Sequence, residues 1–179
     1  ESVLTVIEAW GYLAIALGIL MGNLGLPLPE EVLLPLGGYF AWTGRLSILG
    51  VLLVGVTSGA LGDNLGYWLG RRGGRPLLER YGYWLLISPS TLRRADRLLI
   101  QYGQGAVFLG RFIAGLRFLA GPVAGVSRMP YRRFLLANLG GGIVWVTLAV
   151  VAGYLFGPHL HRLLTIAVLA GSAIRWVLL

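Results

Sequence analysis

The chain alternates long apolar segments with short polar ones, and three of the apolar segments are long enough to cross a membrane. They are residues 5–22, 46–70 and 134–157, and residues 163–179 form a shorter fourth. About 20 apolar residues in an α-helix cover the hydrocarbon core of a bilayer. The pattern therefore predicts an all-α integral membrane protein with about four spanning helices.

Two further apolar segments are interrupted and do not fit a continuous lipid-facing helix. Residues 103–125 carry Arg111 and Arg117 among apolar residues and glycines, and residues 24–44 carry three prolines and two adjacent acids. The prolines and acids are Pro27, Pro29, Pro35, Glu30 and Glu31. Proline removes a backbone donor, and a charged side chain is costly at mid-membrane depth. We therefore predict two re-entrant helical hairpins, each entering and leaving by the same membrane face.

The least apolar stretch, residues 71–102, separates these two segments and is rich in arginine. The segment that follows Ser90 and Thr91 has an apolar and a basic side, which predicts a short interfacial helix capped at one of these residues. Arginine-rich loops stay in the cytoplasm, so we place this linker on the cytoplasmic side. Counting the predicted spans outward from the linker places both termini on the same side. Because the chain begins with Glu1 and residues 3–22 lack a cleavage site, we expect a retained first helix and a natural chain that starts further upstream.

An internal repeat supports this organisation. Sliding the chain by 87 residues aligns 35–70 with 122–157 at ten identities, including Pro35 with Pro122. Each half then holds one hairpin and one spanning helix, and the charge rule orients the halves oppositely. Inverted repeats with broken helices are typical of membrane transporters, in which the substrate site lies between the repeats near the midplane.

The repeat divides a single transmembrane domain, residues 1–179, into four parts. Repeat A covers about 24–70, the cytoplasmic linker 71–102, repeat B about 103–157 and a C-terminal helix 158–179. Prolines interrupt helices, small residues let membrane helices approach, and an amide can bond across helices. The residues expected to have such structural roles are Pro27, Pro29, Pro35, Pro122, Gly125 and Asn138.

Composition narrows the class of protein further. Of the 179 residues, 56% are hydrophobic and 12% are charged, which excludes a soluble domain. All 15 basic residues are arginines, against 7 acids, so permanently protonated groups should lie near anionic lipid. The chain has no cysteine, which excludes disulfides and thiolate chemistry. We expect no cofactor, metal or nucleic-acid partner.

The repeat sets Glu30 opposite Arg117, so one hairpin carries acids where the other carries bases. One interpretation is a buried structural salt bridge. In the other, Arg111 and Arg117 bind an anionic head group, because a guanidinium can donate two parallel hydrogen bonds to phosphate. Glu30 or Glu31 would then belong to the same site and take up a proton that drives or gates release. Asp63 is a third intramembrane acid, either a proton relay or a helix-packing residue.

Three motifs resemble the DedA family of membrane proteins, which is related to the SNARE-associated Golgi protein or VTT domain superfamily. They are GNLGLPLPEEVLLPLGG, GALGDNLGYWLGRRGG and FLGRFIAGLRFLAGPVAG, the last followed by Met129, Phe134, Asn138 and Trp145. The resemblance covers roughly residues 20–157. It implies a multi-pass protein of a bacterial-type cytoplasmic membrane that moves lipids between leaflets as a flippase or scramblase. Undecaprenyl phosphate and phospholipids are the implied cargo, with a link to the proton motive force.

The same resemblance implies roles for individual residues. The family's acid after Pro-x-Pro maps to Glu31 or Glu30, and its Gly-Asp maps to Asp63. Its paired arginines map to Arg111 and Arg117. Family members commonly carry a further glutamate just before Asn-Leu-Gly-Leu-Pro, where this chain has a glycine. The arrangement of two acids is therefore complete only if Glu30 supplies the second.

Other functions have less support in the sequence than lipid transport. Both histidines, His159 and His161, lie together without a phosphate-binding motif, and neither a Gly-x-Ser-x-Gly nor a His-Glu-x-x-His motif is present, so we expect no enzyme. A proton-dependent ion or small-solute transporter is the main alternative, because carboxylates and arginines in re-entrant loops also serve small ions. A scaffold that recruits partners through the linker is a third. Monomeric and homo-oligomeric forms both fit the sequence.

Overall fold

The structure, a computed structural model, describes the backbone at residues 2–24, 30–81, 89–113 and 116–177. It describes side chains at 10–24, 31–74, 76, 90, 93–113 and 116–159. The described backbone forms α-helices and no strands, which confirms the all-α prediction. The helices are α1 (Ser2–Asn23), α2 (Glu30–Trp42), α3 (Ile48–Tyr81), α4 (Pro89–Tyr102), α5 (Gln104–Gly110), α6 (Arg117–Val126) and α7 (Tyr131–Val177).

Within the described residues, two helical segments are long and apolar enough to span a membrane. They are Ile48–Gly74 in α3 and Tyr131–His159 in α7, and they coincide with the second and third spans predicted from the sequence. The described apolar part of α1, Trp10–Asn23, is shorter. The side chains of the predicted fourth span, residues 163–179, lie outside the described residues.

α7 continues from Tyr131 to Val177, although Pro158 lies inside it. The sequence predicted two separate helices here, running out of the cytoplasm and back. A proline removes one backbone hydrogen bond and bends a helix, but it does not by itself reverse the chain. The predicted return span is therefore replaced by a continuation of α7.

α1 and α2 form a hairpin against α3. The hydroxyl of Tyr12 in α1 accepts a hydrogen bond of 2.7 Å from the backbone N–H of Ser47, just before α3 begins. Asn23, the last residue of α1, instead packs on Gly62, near the middle of the apolar part of α3. α1 therefore runs parallel to α3 and ends about halfway along it.

α2 returns towards the beginning of α3, where Gly37 packs on Val51. With 13 residues, α2 is about 20 Å long and too short to cross a bilayer by itself. α1 covers the predicted span at 5–22, and α2 lies within the segment 24–44 for which a hairpin was predicted. Pro27 and Pro29 lie outside the described residues, as does the side chain of Glu30.

As the sequence predicted, residues 103–125 do not form one continuous helix. They contain two short helices. α5 has 7 residues and ends at its C-cap Arg111, and α6 has 10 residues and begins at Arg117. α5 lies along α7, where Phe108 packs against Gly141. The two arginines therefore stand on either side of the break in this segment.

α6 packs closely along α3 through glycines and a proline. A Cβ atom at Gly66 would lie 2.9 Å from Cδ of Pro122, and one at Gly70 would collide with the Pro122 carbonyl oxygen. A Cβ atom at Gly125 would collide with the carbonyl oxygen of Tyr67. Small residues let the two backbones approach this closely.

α2 packs along α7 in the same manner. A Cβ atom at Gly38 would collide with the carbonyl oxygen of Val150, and one at Gly153 would collide with that of Pro35. The short helix that follows each break therefore packs on the long helix of the other half: α2 on α7, and α6 on α3.

The predicted linker, residues 71–102, is helical over much of its length. α3 bends at Gly74, where a φ of 62° favours glycine, and continues to Tyr81. α4 begins at Pro89, a residue type that suits the first position of a helix. Ser90, one of the two predicted caps, therefore lies inside α4.

α4 has the amphipathic character that the sequence predicted. Its described arginines are exposed, while Ala95 and Leu99 pack on Leu119 and Val123 of α6. The apolar side of α4 is thus partly covered by protein instead of lying wholly on lipid.

Candidate functional site

Arg111 lies in a buried polar cluster between α3, α5 and α7. Its side chain is 6% exposed. Nε and NH2 donate hydrogen bonds of 3.1 and 2.9 Å to Oδ1 of Asn138, and NH2 also forms an ion pair with Oδ2 of Asp63. The guanidinium is therefore neutralised by α3 and anchored to α7, which holds the end of α5 in position.

Glycines make the space that this guanidinium occupies. A Cβ atom at Gly142 would lie 3.2 Å from NH1 of Arg111, and one at Gly141 would lie 3.1 Å from its Cδ. Gly141 and Gly142 are thus packing surfaces, and one of the groups packed on them is a charged side chain.

Asn23, at the end of α1, lies beside the same polar cluster. A Cβ atom at Gly59 would lie 3.6 Å from both NH1 of Arg111 and Nδ2 of Asn23. Asn23 is 3% exposed and donates to the carbonyl oxygen of Ile19 at 3.1 Å. Sequence reasoning missed this residue, although the 87-residue slide aligns it with Gly110, immediately before Arg111.

The cluster keeps one acceptor and one donor without a hydrogen bond inside the described chain. Oδ1 of Asp63 and Nδ2 of Asn138 are buried and unpaired there. Burying such atoms unpaired is costly, and each retains the capacity to bond a small polar group. The cluster therefore retains one acceptor and one donor for a further polar group.

A second ion pair lies where α6 and α2 begin. NH1 of Arg117 is 3.0 Å from Oε1 of Glu31. The Arg117 side chain is 12% exposed, whereas that of Glu31 is 47% exposed. The pair is therefore accessible from outside the bundle through the Glu31 carboxylate.

The helix dipoles of α2 and α6 have opposite effects on the two partners of this ion pair. The N-terminal end of a helix favours a carboxylate and disfavours a cation. Glu31, in the first turn of α2, is favoured by this effect, whereas Arg117, the first residue of α6, is opposed by it. Arg117 Cζ also lies 6.0 Å from the ring centroid of Trp145, whose buried Nε1 has no partner in the described chain. An anion at this point would meet the guanidinium and the positive end of α6.

A groove begins beside this pair and runs between α2 and α7. Its volume is about 480 Å³, and its walls are mainly apolar, with Glu31 towards one end and His159 towards the other. The remaining lining residues are Val32, Pro35, Leu36, Ala152, Gly153 and Phe156. Such a groove suits a hydrocarbon chain whose polar end lies near the acid.

The predicted residues are therefore divided between two sites. Glu31 meets Arg117, one residue away from the Glu30–Arg117 alignment of the repeat, and Arg111 pairs with Asp63. Asn138, expected to cap or bond across helices, is a direct partner of Arg111. These pairings depend on helix rotation, which sequence spacing does not specify.

Residues 28–155 match the family model of the VTT domain, over more than half of the chain. The chain belongs to the VTT domain family. The resemblance to DedA membrane proteins indicated by its motifs is thereby confirmed.

Relatives of this VTT domain protein are membrane proteins. It is 34% identical to undecaprenyl phosphate transporter A of Bacillus subtilis over 159 residues, which cover 89% of this chain and 78% of the relative. It is 43% identical to an uncharacterised membrane protein of Synechocystis over 157 residues, covering 88% and 72%. A Mycobacterium tuberculosis membrane protein, also uncharacterised, is 41% identical over 172 residues, covering 89% and 79%. No solved structure matches the chain.

The VTT domain contains both ion pairs. Glu31, Asp63, Arg111 and Arg117 all lie within residues 28–155, whereas Asn23 precedes the matched segment. The relatives named above are called a transporter or membrane proteins, and none of these names describes an enzyme.

Proposed function

We propose that this VTT domain protein moves a lipid with an anionic phosphate head group, such as undecaprenyl phosphate or a phospholipid, between the leaflets of the cytoplasmic membrane. The observation that carries the proposal is the ion pair of Glu31 with Arg117, half open to the outside of an apolar bundle. The printed name of the Bacillus subtilis relative supports the class of cargo. We propose no catalytic step.

Arg117 is the residue proposed to bind the phosphate. Its planar guanidinium can donate two parallel hydrogen bonds to phosphate oxygens, and the N-terminal end of α6 adds a favourable field. Glu31 is the partner that a phosphate would displace, because it is the exposed member of the pair. Arg111 is instead proposed to position the break, because Asp63 and Asn138 already hold its guanidinium.

Glu31 is the proposed site of proton uptake. Once a phosphate takes its place on Arg117, the carboxylate loses its counter-ion in an apolar setting, and a charge there is costly. Taking up a proton removes that cost, and returning the proton re-forms the ion pair and releases the lipid. Asp63 stays beside Arg111 throughout this cycle and serves as the second proton-coupling candidate.

The proposed architecture is an inverted repeat of two re-entrant hairpins, and the helix bounds support it. α1 ends at Asn23 and α5 at Gly110, which are 87 residues apart. α2 begins at Glu30 and α6 at Arg117, again 87 residues apart. The reciprocal packing of α2 on α7 and of α6 on α3 also fits two related halves that meet at their breaks.

The test is lipid movement by the purified chain in vesicles that contain no other protein. A fluorescent lipid phosphate should cross with the wild type and at least tenfold more slowly with Arg117→Lys, because an ammonium cannot reproduce the planar fork. Arg45→Lys, a change at an exposed arginine between α2 and α3, is the matched control and should be neutral. Movement of protons or small ions without lipid would replace the proposal by ion transport.

A further inference from the structure

A second cavity lies apart from the Arg117 site, at the end of the molecule that carries Arg128, Arg132 and Arg133. We call this end the Arg-rich end. It has a volume of about 460 Å³ and lies where the end of α4, the start of α5 and the turn between α6 and α7 meet. Leu99, Ile100 and Met129 contribute apolar surface, and Gln104, Ser127 and Arg133 contribute polar surface. A cavity with both kinds of wall fits a molecule that has a polar and an apolar part.

Position separates this cavity from the proposed transport site. Arg133 and Trp145 lie on the same helix, 12 residues apart, which corresponds to roughly 18 Å along the axis. Trp145 neighbours Arg117, and Arg133 stands beside Arg132 in the first turn of α7. The cavity therefore belongs to the surface level of the bundle and not to its middle.

Charge at the cavity favours an anion. The side chain of Arg133 is exposed and forms no hydrogen bond or ion pair with the part of the chain that the structure describes. No acidic side chain is among the described residues that line the cavity. A permanently charged guanidinium with unused donors suits a phosphate group.

The turn that forms one wall is held firmly in place. The carbonyl oxygen of Met129 accepts hydrogen bonds from the hydroxyl of Tyr67 at 2.6 Å and from NH1 of Arg71 at 3.3 Å. The N–H of Met129 donates to Ala124 at 3.0 Å, and Arg128 adopts the left-handed conformation with a φ of 53°. A site built on this turn is pre-formed and pays little to order itself.

The apolar side of the cavity includes a strongly exposed residue of α4. Ile100 is 86% exposed near the C-terminal end of α4, a helix whose described arginines are also exposed. An exposed isoleucine beside arginines is typical of a helix at the boundary between head groups and acyl chains. This combination favours an anionic lipid over a soluble anion.

We propose that this cavity binds the phosphate head group of a membrane lipid at the Arg-rich surface, with the first part of the acyl chain against Ile100. Arg133 contacts the phosphate, and Gln104 and Ser127 offer further hydrogen bonds. If the proposed function holds, this is the site that a lipid occupies before it reaches Arg117. Binding here does not itself require transport.

The experiment uses the full chain in detergent with a photoactivatable phosphatidic acid that carries its reactive group near the head. Cross-links should map to Ile100 and Met129. Arg133→Gln should reduce them at least fivefold, whereas Arg132→Gln, which removes the same charge from the neighbouring exposed residue, should change them less than twofold. Ser127→Leu keeps the charge but fills the cavity, and it should match Arg133→Gln.

Specific outcomes would overturn the proposal. Equal losses with Arg132→Gln and Arg133→Gln would mean general attraction to a basic surface, and cross-links elsewhere would mean that the cavity is not used. Competition by glycerol phosphate as strong as that by unlabelled phosphatidic acid would assign the cavity to soluble phosphates. Arg117→Lys should leave labelling at Ile100 unchanged, so this site and the proposed transport can fail separately.

Discussion

NH1 of Arg117 lies 3.0 Å from Oε1 of Glu31, so that the first residue of α6 is joined to the first turn of α2. The pair therefore connects the two hairpins of the molecule. The Glu31 side chain is 47% exposed and the Arg117 side chain 12%, so a lipid head group can reach the pair from the side of the acid. We interpret the pair as a site that exchanges partners and not as a structural bridge.

The exchange predicts a specific effect of Glu31→Gln. The amide can still meet Arg117, but it cannot take up or return a proton. Lipid binding should persist, while the response of lipid movement to an imposed pH gradient should disappear. The measurement is the rate of lipid phosphate movement in proteoliposomes with and without the gradient, normalised to folded protein. Full acceleration of the variant by the gradient would remove Glu31 from proton coupling.

The buried pair predicts a different effect for Asp63→Asn. Removing the charged partner of Arg111 leaves a buried guanidinium without its counter-ion, which typically costs about 3–5 kcal/mol. The melting temperature and the yield of monodisperse protein should fall clearly. Glu31→Gln is the matched control, since it is the same kind of change at an exposed acid, and it should leave both quantities near wild type. Equal melting temperatures for the two variants would contradict the assignment of a positioning role to Arg111.

Close helix packing predicts that two glycines of α7 differ sharply. A Cβ atom at Gly153 would collide with the Pro35 carbonyl oxygen, whereas one at Gly140 would lie 3.6 Å from the ring of Phe108. Gly153→Ala should therefore separate α2 from α7 and lower thermal stability strongly. Gly140→Ala should be neutral or stabilising by up to about 1 kcal/mol, the difference in helix propensity. Comparable melting temperatures would mean that α2 does not pack on α7 as described.

Topology predicts opposite labelling at two exposed positions. Ser90 lies on α4 at the Arg-rich end, and Thr43 lies between α2 and α3 at the end where α3 begins. The chain has no natural cysteine, so a single introduced cysteine reports its own side. Ser90→Cys should resist an impermeant reagent added outside intact cells, and Thr43→Cys should react. The reverse result would invert the orientation derived from the arginines.

The sequence alone predicted much of the secondary structure. The spans in α3 and α7 followed from apolar length, and the interrupted segment around Arg111 followed from the high cost of a charge among apolar residues. These are local properties, because hydrophobic length and the effects of proline or arginine act on their own segment. The pairing of Glu31 with Arg117 was also within reach, because the 87-residue repeat aligned the two hairpins to within one residue.

Tertiary structure alone decided which acid meets which arginine. Each residue turns an α-helix by about 100°, so an alignment correct to one residue does not determine which side chain faces a partner. The level and rotation of α6 on α3 follow from glycine contacts such as Gly125 on Tyr67, and the space for Arg111 follows from Gly141 and Gly142. These contacts join residues far apart in the chain. They place Arg111 on Asp63 and leave Arg117 to Glu31, because side-chain pairing depends on the distance between helices and not on spacing along one of them.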